Sequence, residues 1–586
     1  MESAGYSDEK KMATQPLLGT TPTQKGGLRT MPFIIANEAF EKLASYGLIP
    51  NMIMYLMNEY DMDMPTGSNI LFLWSAATNF MPVLGAVMAD SSVGRFRMIG
   101  FGSIVSFLGM ILLWLTTMIP QARPPSCDQS SYNCTSATPL QLILLCSSFG
   151  LMSIGAGGIR SSSLAFGADQ LTKHENLKSC SALQSYFSWY YVTAASSVFI
   201  AMSCIVYIQD NVGWQVGFGV PAMLMFLSSV SFFLASPFYV KVKVKSSLVV
   251  GFFQVIVGSY KNRHFELSSQ SSNVSYYHKK GSMLVVPSEN LRFLNKACII
   301  RDPQQDSSPD GRTSDRWICT VDQVEELKSL VKLIPLWSTG IMIAITISQN
   351  SFPVLQASSM DRHITSNFEI PAGSFGMFLV ISLTLWIALY DRVILPLASK
   401  VMGKPAYLSP KQRMGIGLCF SVLSMVVTAI VERIRRAKAI EEGYSDNSHA
   451  VVNMSALWLV PQYFLSGLAE AFNGIGQNEF YFSELPGSMS SIATTLNGVG
   501  MSIANLLASA IMNTINDVTG RGGNESWVSS NINKAHFDYY YWVLAGLSLV
   551  NIFYFFVCNR TYGPCVGEGN KVWDEGDDEI RGDRST

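Results

Sequence analysis

MPFIIANEAFEKLASYGLIPNMIMYLM, residues 31–57, is the stretch on which the fold of this chain turns. It is apolar over more than the about 20 residues that a helix needs to cross a bilayer, yet it contains Glu38, Glu41 and Lys42. Spacings of i, i+3 and i+4 place all three charges on one helical face. Ionised groups at that depth are costly and face a pathway or a partner rather than lipid. The stretch therefore predicts a helix lining a route through a membrane. The competing reading is a short boundary helix whose charges snorkel to water. It loses weight because the rest of the chain supplies many further spans.

The chain has 586 residues, of which 48% are hydrophobic and 14% charged. A soluble domain carries about 25% charged residues, so the composition is that of a polytopic membrane protein. A net charge of -1 gives no basis for a nucleic-acid partner. Cys and His show no metal-ligand spacing, and no nucleophile–base pair stands out, so neither a metal, a cofactor nor a catalytic residue is expected. Residues 1–30 are polar and lack the apolar core of a cleaved signal peptide. The first apolar stretch is thus expected to act as both insertion signal and span.

Runs long enough to span occur near 31–57, 69–90, 97–118, 140–160, 185–208 and 214–236, and again near 326–348, 371–391, 411–432, 454–478, 490–515 and 536–558. The fourth and seventh are the weakest, with Arg160 and Lys332 near their ends. The expectation is an all-α membrane protein of twelve transmembrane helices in two six-helix halves, 31–236 and 326–558. Carriers built this way rock their halves around a midplane site. A disordered cytosolic N-terminus (1–30), a polar central loop (237–325) and an acidic cytosolic tail (559–586) complete the division.

Orientation follows from basic residues in short loops. They cluster at 95–97, 173–178, 241–245, 261–263, 279–280 and 392–413, all on one side if both termini are cytosolic. The segment 432–453 disagrees, because it holds Arg433, Arg435, Arg436 and Lys438 and alternation places it outside. Asn133 and Asn524 fall in loops expected to be external and available for glycans, whereas Asn273 should stay bare. Cys127 and Cys134 share one external loop, where a disulfide and two free thiols are equally acceptable.

Further charges lie within or beside the spans. Arg160 closes the fourth in SIGAGGIRSSSLAFGADQ (153–170), and Glu470 lies in PQYFLSGLAEAFNGIGQNEFYF (461–482), followed by Glu479. A carboxylate in low dielectric must be paired or protonated, whereas arginine keeps its charge. That asymmetry suits proton coupling, and Arg160 with Glu470 is the expected pair across the two halves. Glu479 reads more simply as half of a structural ion pair. Gly85, Asp90, Gly94, Arg95 and Arg97 form the connection between the second and third spans, where an Asp–Arg arrangement can latch the ends of two helices. A plain basic turn would account for Arg95 and Arg97 but not for Asp90.

Together these motifs resemble the plant nitrate/peptide transporter family, the plant branch of the proton-dependent oligopeptide transporters within the major facilitator superfamily. The resemblance covers nearly the whole chain and is nearest to the first subfamily. Its first-helix signature is met by Glu38-Ala39-Phe40-Glu41-Lys42 and Ser45-Tyr46-Gly47, its loop signature by Gly85 to Arg97, and its fourth-span stretch by Gly157 to Arg160 and Phe166 to Gln170. LRFLNKA at 291–297, DQVEELK at 322–328 and Gly467 to Glu470 also fit. The chain departs from the pattern in having Lys42 for arginine, Arg160 for lysine and Ser161 for proline. Its fifth-span signature, Tyr190 to Ser197, has Ala195 in place of asparagine and Ser197 in place of glycine. In the seventh span the family's nitrate carriers place a histidine where this chain has Ile347, which can donate neither a proton nor a hydrogen bond.

The resemblance implies a proton-coupled symporter of an anion or small organic acid, with low-affinity nitrate transport as the first expectation. Glu38, Glu41, Lys42 and Glu470 would couple protons. Lys42, Tyr46, Arg160, Ile347, Ser351 and Glu470 would line the substrate path. A carboxylate plant hormone such as gibberellin is the alternative, favoured by Ile347, Tyr46 and the apolar sixth and seventh spans; di- and tripeptides rank below it. A sensor that uses a carrier fold without transporting is a further reading, opposed by the intact acidic residues. Expected partners are protons, the transported anion and the bilayer. Plasma membrane is the expected location, with the vacuolar membrane as the other option.

Overall fold

The computed structural model describes residues 26–125, 136–171, 177–241, 248–264, 276–278, 286–300, 318–403, 407–523 and 525–563. Cys127, Cys134, Asn133, Asn273 and Asn524 lie outside them. The chain is an all-α, multi-span membrane protein. Among the described residues, ten helices are long and apolar enough to cross a membrane.

Numbered in chain order, the long helices are α1 (Met31–Glu59), α2 (Met64–Met88), α3 (Arg95–Met118), α4 (Pro139–Leu171), α5 (Leu177–Ile200) and α6 (Trp214–Leu234). They continue as α7 (Val321–Ile347), α8 (Met377–Leu389), α9 (Pro410–Glu441), α10 (Val460–Glu484), α11 (Ser490–Thr519) and α12 (Phe537–Tyr562). The two that fall outside the ten are α1 and α10. Their apolar runs are interrupted by Glu38, Glu41 and Lys42 in one and by Glu470 and Glu479 in the other. The fourth and seventh stretches, weakest in the sequence, qualify as spans.

Starts and stops obey local chemistry. Thr320 with Gln323 and Ser409 with Gln412 form reciprocal capping boxes at the starts of α7 and α9. Asp63 caps α2 by accepting from the Thr66 amide at 3.3 Å. Gly94 has φ +84° between α2 and α3, a left-handed backbone that L side chains rarely adopt.

The helices pair in a pattern that repeats. In the first half α3 packs on α4, α2 on α4, α1 on α6, α3 on α6 and α1 on α5; the same pairings recur as α9 on α10, α8 on α10, α7 on α12, α9 on α12 and α7 on α11. Close approach rests on α4. A Cβ at Gly155 would sit 2.5 Å from Ser106 of α3, and one at Gly85 of α2 would collide with the Gly157 carbonyl. Small residues let backbones meet where lipid offers no hydrophobic drive. Between halves, α2 lies along α11, with Ser509 donating to Asn69 at 2.6 Å. Other cross-half contacts gather at the end away from the termini. There the Met64 amide donates to Ser530, Asn51 packs on Gly373, and Arg362 lies 3.5 Å from Asp210.

Several boundaries differ from expectation. The fourth helix runs on to Leu171, so Arg160 sits inside it rather than at its end. The seventh begins at Val321, inside the segment assigned to the central loop. That segment is also not wholly irregular: Leu248–Lys261 is helical and packs, with Arg292–Cys298, beside the start of α7.

The basic stretch 432–453 is the clearest correction. Helix α9 continues to Glu441, and Arg435 is fully buried. Its guanidinium donates to both Glu432 oxygens at 2.7 and 2.9 Å, to Asn533 at 2.7 Å and to the Ile532 carbonyl at 2.8 Å. Gln356 donates to the same carboxylate at 2.6 Å. Arg435 is therefore not a free loop charge, which weakens its claim on orientation. Removing one partner of a buried pair costs about 3–5 kcal/mol. Glu432→Gln should lower the thermal unfolding midpoint in detergent, measured by scanning fluorimetry. Glu432→Gln with Arg435→Met should lower it less than the single change.

Candidate functional site

Helix α1 turns Glu38, Glu41, Lys42 and Tyr46 toward α4 and α5. Glu41 is fully buried, and Arg160 of α4 grips it with two nitrogens: Nε lies 3.1 and 3.2 Å from the two carboxylate oxygens and Nη2 lies 2.9 Å from Oε1. This is the two-pronged geometry that favours arginine over lysine. Ser45 adds a 2.7 Å hydrogen bond to the same carboxylate. One turn away, Lys42 is 3.3 Å from Glu38.

Tyr46 stands beside both cations, its ring centroid 5.6 Å from the Arg160 guanidinium and 5.8 Å from the Lys42 ammonium. That is within cation–π range. The four charges cancel, so the cluster is neutral as a whole. Tyr190 is buried on α5, the helix that packs beside α1, and the second oxygen of Glu38 is buried without a hydrogen bond among the described residues.

The pairing differs from the expected one. Arg160 binds Glu41, in its own half, and not Glu470. Glu470 on α10 is half-buried and has no ion pair or hydrogen bond among the described residues. Ile347 ends α7, partly buried against the apolar core of the second half, and Ser351 opens the short helix Ser351–Ser358. Neither bonds to the charged cluster.

The α2–α3 connection brings most of its motif together. A π-helical turn, Ala89–Val93, presents Asp90 to Arg95 at 3.3 Å, and Arg95 also reaches Asp169 at the end of α4 at 2.8 Å. Arg97 points outward, with no ion pair among the described residues. The second half repeats the device: a π turn, Tyr390–Ile394, precedes α9, whose Arg413 pairs with Glu479 of α10 at 3.0 Å. Tyr407 also donates to Glu479 at 2.5 Å, which confirms that carboxylate as part of a local ion pair. Asp169 and Arg413 were not singled out from sequence as site residues. Their signals were the FGADQ run and the repeat of an acid followed by an arginine.

A bundle of spans with a balanced charge cluster at depth defines a membrane carrier. The model of the POT family matches residues 96–528. Two Arabidopsis thaliana proteins are similar over most of their length. NRT1/ PTR FAMILY 1.2 is 55% identical over 551 residues, 93% of this chain and 91% of that protein. NRT1/ PTR FAMILY 1.1 is 53% identical over 567 residues, 96% of this chain and 95% of that protein. Among solved structures, an auto-inhibited POT family peptide transporter superposes with a TM-score of 0.66 at 18% identity, covering 92% of this chain and 98% of its own. The chain belongs to the plant NRT1/PTR branch of the POT family. As a member it is a proton-coupled transporter of small polar or ionic solutes, a multi-pass membrane protein and not an enzyme.

Arg160 depends on Glu41, so losing that carboxylate strands a buried cation. Glu41→Gln should therefore destabilise the purified protein clearly more than Glu470→Gln, read as the shift in thermal midpoint of each. Equal shifts would mean that Arg160 is held by something other than Glu41.

Proposed function

We propose that this protein is a proton-coupled symporter importing nitrate or another small anion. The spans would form twelve transmembrane helices in two six-helix halves, with both termini and the central segment in the cytosol. The observation that carries the reading is the Glu41–Arg160 pair with Glu470 left unpartnered on the matching helix of the other half. An arginine that cannot lose its proton and a carboxylate that can are the parts of a switch in which a proton and an anion compete for one cation. When Glu41 takes a proton, Arg160 loses its partner and becomes a site for an anion or for Glu470. Glu38 with Lys42 and Tyr190 would act as a second proton relay. The cross-half contacts at the end away from the termini support a state closed on that side.

A carboxylate hormone such as gibberellin is the second reading. It is favoured by Ile347, which offers a nitrate ion no hydrogen bond but fits an apolar skeleton. Uptake into proteoliposomes of nitrate, gibberellin and abscisic acid, each at acidic and at neutral external pH, separates the two. Acid-stimulated nitrate accumulation supports the first; accumulation of a hormone without nitrate supports the second. Glu41→Gln should abolish proton-driven accumulation of whichever substrate is carried, and Glu38→Gln should do the same or nearly so. Unchanged accumulation in both variants would place the proton path elsewhere.

The orientation has its own check. Glycan mapping in a eukaryotic cell should find Asn133 and Asn524 accessible and Asn273 unmodified. A glycan on Asn273 would invert the assignment of sides.

A further inference from the structure

The helix Leu248–Lys261, in the segment between the halves, is apolar on both of its faces. Its inner face is buried: Phe252, Val255 and Ser259 pack beside α7 and the Arg292–Cys298 segment, with Gly251 against the Gln323 side chain. Ser259 donates to the Phe293 carbonyl at 2.5 Å and Asn262 to the Lys296 carbonyl at 2.7 Å. The helix is therefore fixed in place. Its outer face carries Val250, Phe253, Ile256 and Tyr260, spaced three to four residues apart in one stripe. Phe253 is 64% exposed and Tyr260 66%, with Phe293 of the neighbouring segment at 58%. A helix apolar all round is ordinarily buried on all sides, and no described residue covers this stripe.

Charge and position say what does. From Lys241 to His264 the sequence holds Lys241, Lys243, Lys245, Lys261 and Arg263 and no acidic residue. The helix sits against the first turns of α7, and α7 exposes Val331 and Ile334 a few turns further along, where a span faces lipid. The stripe thus borders the bilayer on the side of the termini and is flanked at both ends by cations. An apolar face with a basic rim and an aromatic residue at its end matches a helix lying in a membrane interface, drawn there by burial and by anionic headgroups. We propose that Leu248–Lys261 docks its outer face into the adjoining leaflet and that anionic phospholipid engages Arg263, exposed just beyond its end. Because the inner face is bolted to α7, this contact would anchor the segment that joins the halves to the lipid surface rather than leave it as a passive tether.

The test uses the full-length protein with Phe253→Trp, or Ile256→Trp if the first variant folds poorly, in vesicles of phosphatidylcholine with or without phosphatidylglycerol. The reading is the tryptophan emission added over the parent protein. Bromine on the upper acyl chain should remove most of that added emission while aqueous iodide leaves it unchanged, and phosphatidylglycerol should deepen the quenching. Arg263→Glu should erase the phosphatidylglycerol effect. Quenching by iodide but not by brominated lipid would place the stripe in water. Protection from both would mean that protein covers it, and either result overturns the proposal. Lipid quenching that is indifferent to phosphatidylglycerol would overturn the role of anionic headgroups.

Discussion

Arg160 gripping Glu41 is the interaction on which the rest of the site depends. Each charge alone would be intolerable at that depth, and together they are stable only with tight geometry and further hydrogen bonds. The structure supplies both, through two nitrogens on one carboxylate and the Ser45 hydroxyl on the same oxygen. Lys42 and Glu38 complete a group whose formal charge is zero. Such a cluster is sensitive to its charge balance: adding one proton to either carboxylate would leave a cation short of a partner. If coupling runs through this cluster, as proposed, it would need charge balance in low dielectric and no residue of unusual reactivity.

Packing decides whether that pair can form. Helix α4, which carries Arg160, lies close to α2 and α3 along the glycine-bearing face around Gly155 and Gly157, where side chains would hold the backbones apart. The same helix is fastened beyond Arg160. Asp169 is held by Arg95, and Gln170 donates to the Val240 carbonyl at 3.0 Å and accepts from the Val240 amide at 2.7 Å. The Gly27 amide, just ahead of α1, bonds the Gln170 carbonyl at 2.9 Å. A shift of α4 is thereby felt at once by the charged cluster, by the latch and by the chain entering α1. The motif residues are spread over the sequence but act on one rigid helix.

Much of this was legible in the sequence. Charges at i, i+3 and i+4 within an apolar run marked α1 as the helix that carries the charged cluster, and the glycines before Arg160 marked a close contact. Helix ends were less legible, because FGADQ and residues 433–438 are polar and read as loops. In the structure those polar groups are spent on partners: Asp169 on Arg95, Arg435 on Glu432 and Asn533. Hydropathy records what a residue would cost if alone and is blind to its partner, so paired polar residues read as breaks in a helix. The same blindness excludes α1 and α10 from the helices apolar enough to span, although they carry the acidic residues central to the site.

The helix pairings that recur along the chain place Arg160 and Glu470 on corresponding helices, α4 and α10. Arg160 precedes Asp169 by nine residues on α4, and Glu470 precedes Glu479 by nine on α10. Both distal acids hold an arginine from the start of the neighbouring helix, Arg95 in one half and Arg413 in the other. The scaffold is thus duplicated while the sign of the buried charge is reversed between the two copies. Arg160 has its partner in Glu41 of α1, held by two nitrogens on one carboxylate. Under the proposed coupling, neutralising that carboxylate would free the cation for Glu470 or for an anion, because a buried arginine keeps its charge and needs a counter-charge.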